Sequence, residues 1–190
     1  MQEMEAKILA EGQVLPGGVI KVGSFLNQQI DTDFLKRIGE EIADKFRDSN
    51  ITKILTIESS GIAIATATGM ALGVPVVFAK KHTTSNVDGF IYGTKVRSYT
   101  LNRDYHVVVS RDYIGEKDNL LLVDDFLAHG QAMKGLLNIA FQAGAHVKGI
   151  AVAIEKGFQG GGDQLRDEGY RVESLAIVDS IDDDEIYFRR

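Results

Sequence analysis

Leu120-Leu121-Leu122-Val123-Asp124-Asp125-Phe126-Leu127-Ala128-His129-Gly130-Gln131-Ala132 reads as a strand, an acid pair, a small-residue turn and the start of a helix. A continuous apolar run of this kind suits a strand covered on both faces, as in a mostly parallel sheet. It delivers two adjacent carboxylates to the C-terminal edge, where open α/β sheets bind their ligands. With a helix predicted over about 130–142, the backbone N–H groups of 128–132 point outward at a helix start and meet an anion there. Small side chains let a phosphate approach the backbone. The triphosphate loop is excluded, because no Gly-Lys-Ser/Thr stands at its spacing, and the dinucleotide glycine triad is missing. Paired acids beside a phosphate site suit the vicinal hydroxyls of a sugar. The competing reading is a strand end whose acids merely cap the helix. The order of strand, acid pair and turn favours the sugar.

Working outward, short β-rich runs alternate with helical patterns, which predicts an α/β fold with helices flanking the sheet. Leu35, Ile38, Ile42 and Phe46 form one stripe over residues 33–46, with Asp31 and Thr32 as caps. Strands are expected at 53–57, 74–78, 120–123, 149–154 and 172–177, and a helix at 62–72 that stops at Gly73. Residues 80–118 lack helical periodicity and contain strand-like pieces at 99–101 and 106–110. A flap over about 83–99 is expected there, the alternative being an antiparallel extension of the sheet. The acidic run 182–185 reads as a solvated turn.

The chain has 190 residues, enough for a single domain with a small hood, expected from about 1–30 and the C-terminal part. Its 44% hydrophobic content supports a buried core, and a net charge of -6 argues against a broad grip on nucleic acid or anionic membrane. There are no cysteines, so disulfides, thiolate metal sites and cysteine catalysis are excluded. Met1–Glu5 has neither the basic start nor the apolar run of a secretory signal, and a cytoplasmic protein is expected.

Two further strand ends carry chemistry. Glu58-Ser59-Ser60-Gly61 offers N–H and hydroxyl donors to a second anion. Lys80 and Lys81 follow the next strand and can neutralise a leaving anion, or belong to a solvated edge. Lys156, after the apolar run 150–154, can donate to a carbonyl oxygen of a base, and Phe158 can stack on its ring.

Together these segments resemble the type I phosphoribosyltransferase family. The likeness runs nearly end to end, through 22–31 with Ser24-Phe25-Leu26-Asn27, then 57–63, 123–132, Ile154-Glu155-Lys156 and 169–176. Within the family it is similar to the bacterial members that use xanthine. The resemblance implies that Asp124 and Asp125 hold the ribose hydroxyls of 5-phosphoribosyl 1-diphosphate. It implies that Ala128, His129, Gly130, Gln131 and Ala132 cradle the 5′-phosphate, and that Ser59, Ser60 and Gly61 with Lys80 and Lys81 face the diphosphate. Ile20, Asn27, Lys156 and Phe158 would contact the purine. Mg²⁺ would arrive with the diphosphate rather than in a protein cage, and a homodimer is implied. Many members carry an Asp where this chain has Ala128 and hydroxyl residues where it has His129 and Ala132, and the missing carboxylate at Ala128 counts against a guanine or hypoxanthine enzyme. His129 either touches the phosphate or lies at the surface. Non-catalytic regulators share the fold, but they carry a DNA-binding segment for which the short stretch before the first expected strand leaves no room.

Overall fold

The computed structural model describes residues 1–82, 90–98, 103–183 and 185–190. Its centre is an eight-stranded sheet in the order β10-β9-β8-β7-β3-β4-β6-β5. Strands β3 (Lys53–Ile57), β4 (Val76–His82), β7 (Asn119–Leu127), β8 (His146–Lys156) and β9 (Val172–Asp182) run parallel. The edges are antiparallel, with β10 (Glu185–Phe188) on β9, and β6 (Arg103–Ser110) joining β4 to β5 (Ile91–Ser98).

Side-chain alternation along the parallel strands divides the interior into two cores. Leu121, Val123, Ala151 and Ala153 face α2 (Thr32–Phe46) and α3 (Gly61–Leu72). Leu120, Leu122, Ile150 and Val152 face α4 (Gln131–Gln142) and Leu165 of the short α5 (Gly161–Asp167). Helix α2 forms as expected, with Asp31 Oδ1 accepting the Phe34 N–H at 3.0 Å. Its buried stripe is Phe34, Ile38, Ile42 and Phe46, so Phe34 takes the place expected for Leu35. Gly73 ends α3 in the left-handed region, with φ 71°.

Three expectations are corrected. Val74 and Pro75 precede β4, and the Pro75 carbonyl accepts from Ile54 N at 3.0 Å. Strand β7 continues through the acid pair to Leu127, so Asp124 and Asp125 lie within the sheet. Of the flap expected over 83–99, residues 91–98 are β5, paired in register with β6, because Val96 packs in the apolar layer under α4. Residues 83–89 and 99–102, including the strand-like piece at 99–101, lie outside the described residues. So does Asp184 in the acidic turn between β9 and β10.

The N-terminal segment caps this end of the sheet. Helix α1 (Gln2–Glu11) is followed by the hairpin β1 (Gln13–Leu15) and β2 (Val19–Lys21) and a π-helical turn at Gly23–Asn27. Met4 and Ile8 join the core, and the Met1 ammonium donates to the Leu175 carbonyl at 2.5 Å. No helix among the described residues is long and apolar enough to cross a membrane.

Candidate active site

Strand β7 carries Asp124 and Asp125, 6% and 7% exposed, to the end of the sheet. The Asp125 N–H donates to Asp124 Oδ1 at 2.9 Å, and the two carboxyls stand close to each other. Asp124 faces Gly61: a Cβ there would overlap the Thr56 hydroxyl and come within 2.7 Å of Asp124 Oδ1. The turn before α3 and the acid pair therefore touch, and only glycine fits between them. Beneath them the buried Thr56 hydroxyl finds no hydrogen-bond partner among the described residues. Burial, and then the neighbouring Asp125 charge, push the Asp124 carboxyl well above the ordinary range, while Lys81 pulls it down.

Lys81 lies over the Tyr105 ring, 5.2 Å from its centroid. Burial and the charge of Asp124 raise the Tyr105 phenol in turn. Strand alternation turns exposed Lys80 to the opposite face of β4, so only Lys81 of the pair reaches the acids. At the turn before α3, the Glu58–Ser59 peptide is cis. Ser60 occupies the helix N-cap without a side-chain cap bond, so its hydroxyl is not spent on capping.

Ala128, His129, Gly130, Gln131 and Ala132 all line a cleft of about 490 Å³, with Lys156 in the same wall. Gly130 has φ 77° and hands the chain to α4, which leaves first-turn N–H groups toward the cleft. Lys156 Nζ donates to the Gly18 carbonyl at 3.2 Å and lies 5.8 Å from the Phe126 ring centroid. Burial pulls its ammonium below the ordinary lysine range. Phe158, 42% exposed, rests its ring beside Gly18, where a Cβ would stand 3.5 Å away. Asn27 Nδ2 donates to Asp125 Oδ2 at 3.2 Å, which places this residue of the N-terminal segment on the acid pair. Ile20, only 6% exposed, belongs to the core, and Val19 and Gly17 line the cleft in its place.

Phe126, Gln159, Tyr105 and Arg97 also line the cleft and were missed by sequence reasoning. Phe126 and Gln159 adjoin the motifs and could have been found by adjacency. Tyr105 and Arg97 come from the β5–β6 hairpin, whose placement depends on its pairing with β4.

Residues 27–185 match the model of the phosphoribosyl transferase domain. The chain belongs to that family. Among curated phosphoribosyltransferases, it is 53% identical over 189 residues to the xanthine phosphoribosyltransferase of Oceanobacillus iheyensis, covering 100% of this chain and 97% of that one. It is 52% identical over 183 residues to the xanthine phosphoribosyltransferase of Bifidobacterium adolescentis, covering 96% and 95%. Of solved phosphoribosyltransferase structures, the adenine enzyme of Giardia lamblia with 9-deazaadenine matches with a TM-score of 0.76 at 22% identity, over 90% of this chain and 96% of that one. The Trypanosoma brucei adenine enzyme, in complex with AMP, pyrophosphate and ribose-5-phosphate, gives 0.75 at 18% identity over 92% and 78%. These structures share the fold.

Proposed function

We propose that this chain is a purine-salvage enzyme that transfers the 5-phosphoribosyl group of 5-phosphoribosyl 1-diphosphate to xanthine, giving xanthosine 5′-monophosphate and diphosphate. The observation that carries the reading is the convergence of the acid pair, the 128–132 turn and Lys156 at one end of the sheet. The full-length relatives named for xanthine support the choice of base.

In the reaction a purine nitrogen forms a bond to the anomeric carbon as the bond to the diphosphate oxygen breaks. The diphosphate leaves with the electron pair, and the purine nitrogen gives up its proton. Positive charge builds on the sugar during the exchange, as in glycoside chemistry. Asp124 and Asp125 accept hydrogen bonds from the ribose hydroxyls and place carboxylate charge beside that sugar. The amides of 128–132 hold the 5′-phosphate, and Ser59, Ser60 and Gly61 with Lys81 receive the diphosphate. Most of the acceleration then comes from positioning and fixed charge. Lys156 donates to a xanthine carbonyl, and Phe158 covers the ring. An ammonium rejects adenine, whose exocyclic amine is itself a donor, because two buried donors facing each other leave both unpaired.

The site suits Mg²⁺ brought in on the diphosphate: two oxygen-donor carboxylates stand together, and the charge of one already raises the pKa of the other. When bound, such an ion would supply charge neutralisation to the diphosphate. Asp124 and Asp125 are the protein oxygens that would face it. In the same reading the enzyme is a cytoplasmic homodimer. This rests on family resemblance and, for the compartment, on the absence of cysteine.

The deciding assay supplies the ribose diphosphate and Mg²⁺ with xanthine, guanine, hypoxanthine or adenine in turn. Turnover is expected to be fastest with xanthine. Faster turnover with guanine or hypoxanthine would reassign the base, and tight ribose-diphosphate binding with no turnover on any base would point to a regulator.

A further inference from the structure

The run Gly160-Gly161-Gly162 lies directly behind the 128–132 turn. The Gly161 N–H donates to the Ala128 carbonyl at 3.1 Å. A Cβ on Gly161 would overlap that carbonyl oxygen and come within 2.6 Å of the Gly130 nitrogen. The turn thus rests on the bare backbone of Gly161.

The next residue continues the support. A Cβ on Gly162 would overlap the carboxylate of Glu155, which is 0% exposed. That carboxylate is held by the two terminal guanidinium nitrogens of Arg166, at 2.9 and 2.7 Å, and by the Ser174 hydroxyl. Glu155 immediately precedes Lys156 on β8. One side chain goes down into this support while its neighbour lines the cleft.

Peptide geometry gives the contact a direction. Among the described residues, the cis peptide bond is Glu58–Ser59, so the Ala128–His129 peptide is trans. In a trans peptide C=O and N–H point opposite ways in one plane. Drawing the Ala128 carbonyl back onto Gly161 therefore aims the His129 N–H forward, away from α5 and into the cleft that His129 lines.

We infer that Gly161 is a positioning residue for the 5′-phosphate: its backbone fixes the Ala128–His129 peptide so that the His129 amide is preset toward the anion. This rests on the reading of 128–132 as the phosphate turn, and it assigns His129 a role through its backbone rather than its imidazole. Any side chain at 161 pushes the turn off its support and rotates that amide.

The test follows the backbone amides of isotope-labelled protein by NMR as ribose 5-phosphate is titrated in, together with steady-state kinetics. In the native protein the His129 amide resonance is expected to move with those of the turn. Gly161→Ala is expected to abolish that response and raise KM for the ribose diphosphate about tenfold, leaving KM for xanthine unchanged. Gly160→Ala provides the control, since its φ of 74° strains any side chain while nothing lies within 4 Å of its Cβ. If no amide of 128–132 responds in the native protein, the phosphate-turn reading itself falls. If the turn responds but His129 does not, or Gly161→Ala keeps the native KM, or Gly160→Ala raises it equally, the role of Gly161 is overturned and the turn stands. The native titration decides even if Gly161→Ala does not fold.

Discussion

The side-chain amide of Asn27 donates to Asp125 Oδ2 at 3.2 Å, joining the N-terminal π-helical turn to the acid strand. A residue assigned to the purine is therefore already bonded to a residue assigned to the ribose. Asn27→Asp replaces this donor with a second carboxylate facing the first. Loss of the bond together with like-charge contact should cost roughly 1–3 kcal/mol. The melting temperature is expected to fall at neutral pH and to recover partly at acid pH, where one carboxyl takes a proton. A melting curve independent of pH would show that Asn27 does not depend on Asp125.

Asp124 gives a prediction with a defined sign. Its carboxyl is raised in the folded state by burial first and by Asp125 second. The native protein therefore binds this proton more tightly than the unfolded chain does, and the group's contribution to stability falls as pH rises from the ordinary value of 3.8 through the folded value. Asp124→Asn removes the buried charge and keeps an oxygen to accept the Asp125 N–H. The variant is expected to melt higher than the native protein at neutral pH, with the gap closing as pH falls toward 3.8. It should also bind the ribose diphosphate weakly. Calorimetry across pH checks the first part and ligand titration the second. Equal melting at neutral pH would place the Asp124 charge in a solvated setting.

The contrast between these two residues shows what the sequence made legible. The acid pair, the turn after it and the α2 stripe were readable because continuous apolar runs and helical periodicity record local geometry. Lys156 was readable because it ends an apolar strand. The bond between Asn27 and Asp125 spans 98 positions and leaves no local pattern. The support under the turn was hidden for the same reason: only folding sets Gly161 against Ala128. Helix α1 was missed because its weak amphipathicity buries only Met4 and Ile8. The β5–β6 hairpin was half-read as a flap because long-range pairing, rather than composition, makes it part of the sheet.

Beneath the cleft, Glu155 is fully buried and its charge is matched by Arg166. Removing one partner strands the other's charge in the interior, so Arg166→Ala should destabilise the fold by about 3 kcal/mol in urea unfolding. Glu155→Gln with Arg166→Met removes both charges and is expected to recover much of that loss. Equal losses for the single and double changes would mean that packing, rather than charge, dominates there.

In the proposed function Lys156 is the residue that selects the base. Its ammonium is half-buried, donates to the Gly18 carbonyl and stands over Phe126, and burial lowers its pKa below the usual 10.5. Lys156→Met keeps most of the length and apolar contact while removing the donor. A hydrogen bond from a charged group contributes roughly 1.5–3 kcal/mol, so KM for xanthine should rise about ten- to a hundredfold while KM for the ribose diphosphate stays near its native value. Because the lysine must be protonated to donate, kcat/KM for xanthine in the native enzyme should fall on an alkaline limb below 10.5. The Met variant should lack that limb. Equal rises in both KM values, or an alkaline limb that survives the substitution, would move Lys156 away from the purine and leave the choice of base to other residues of the cleft.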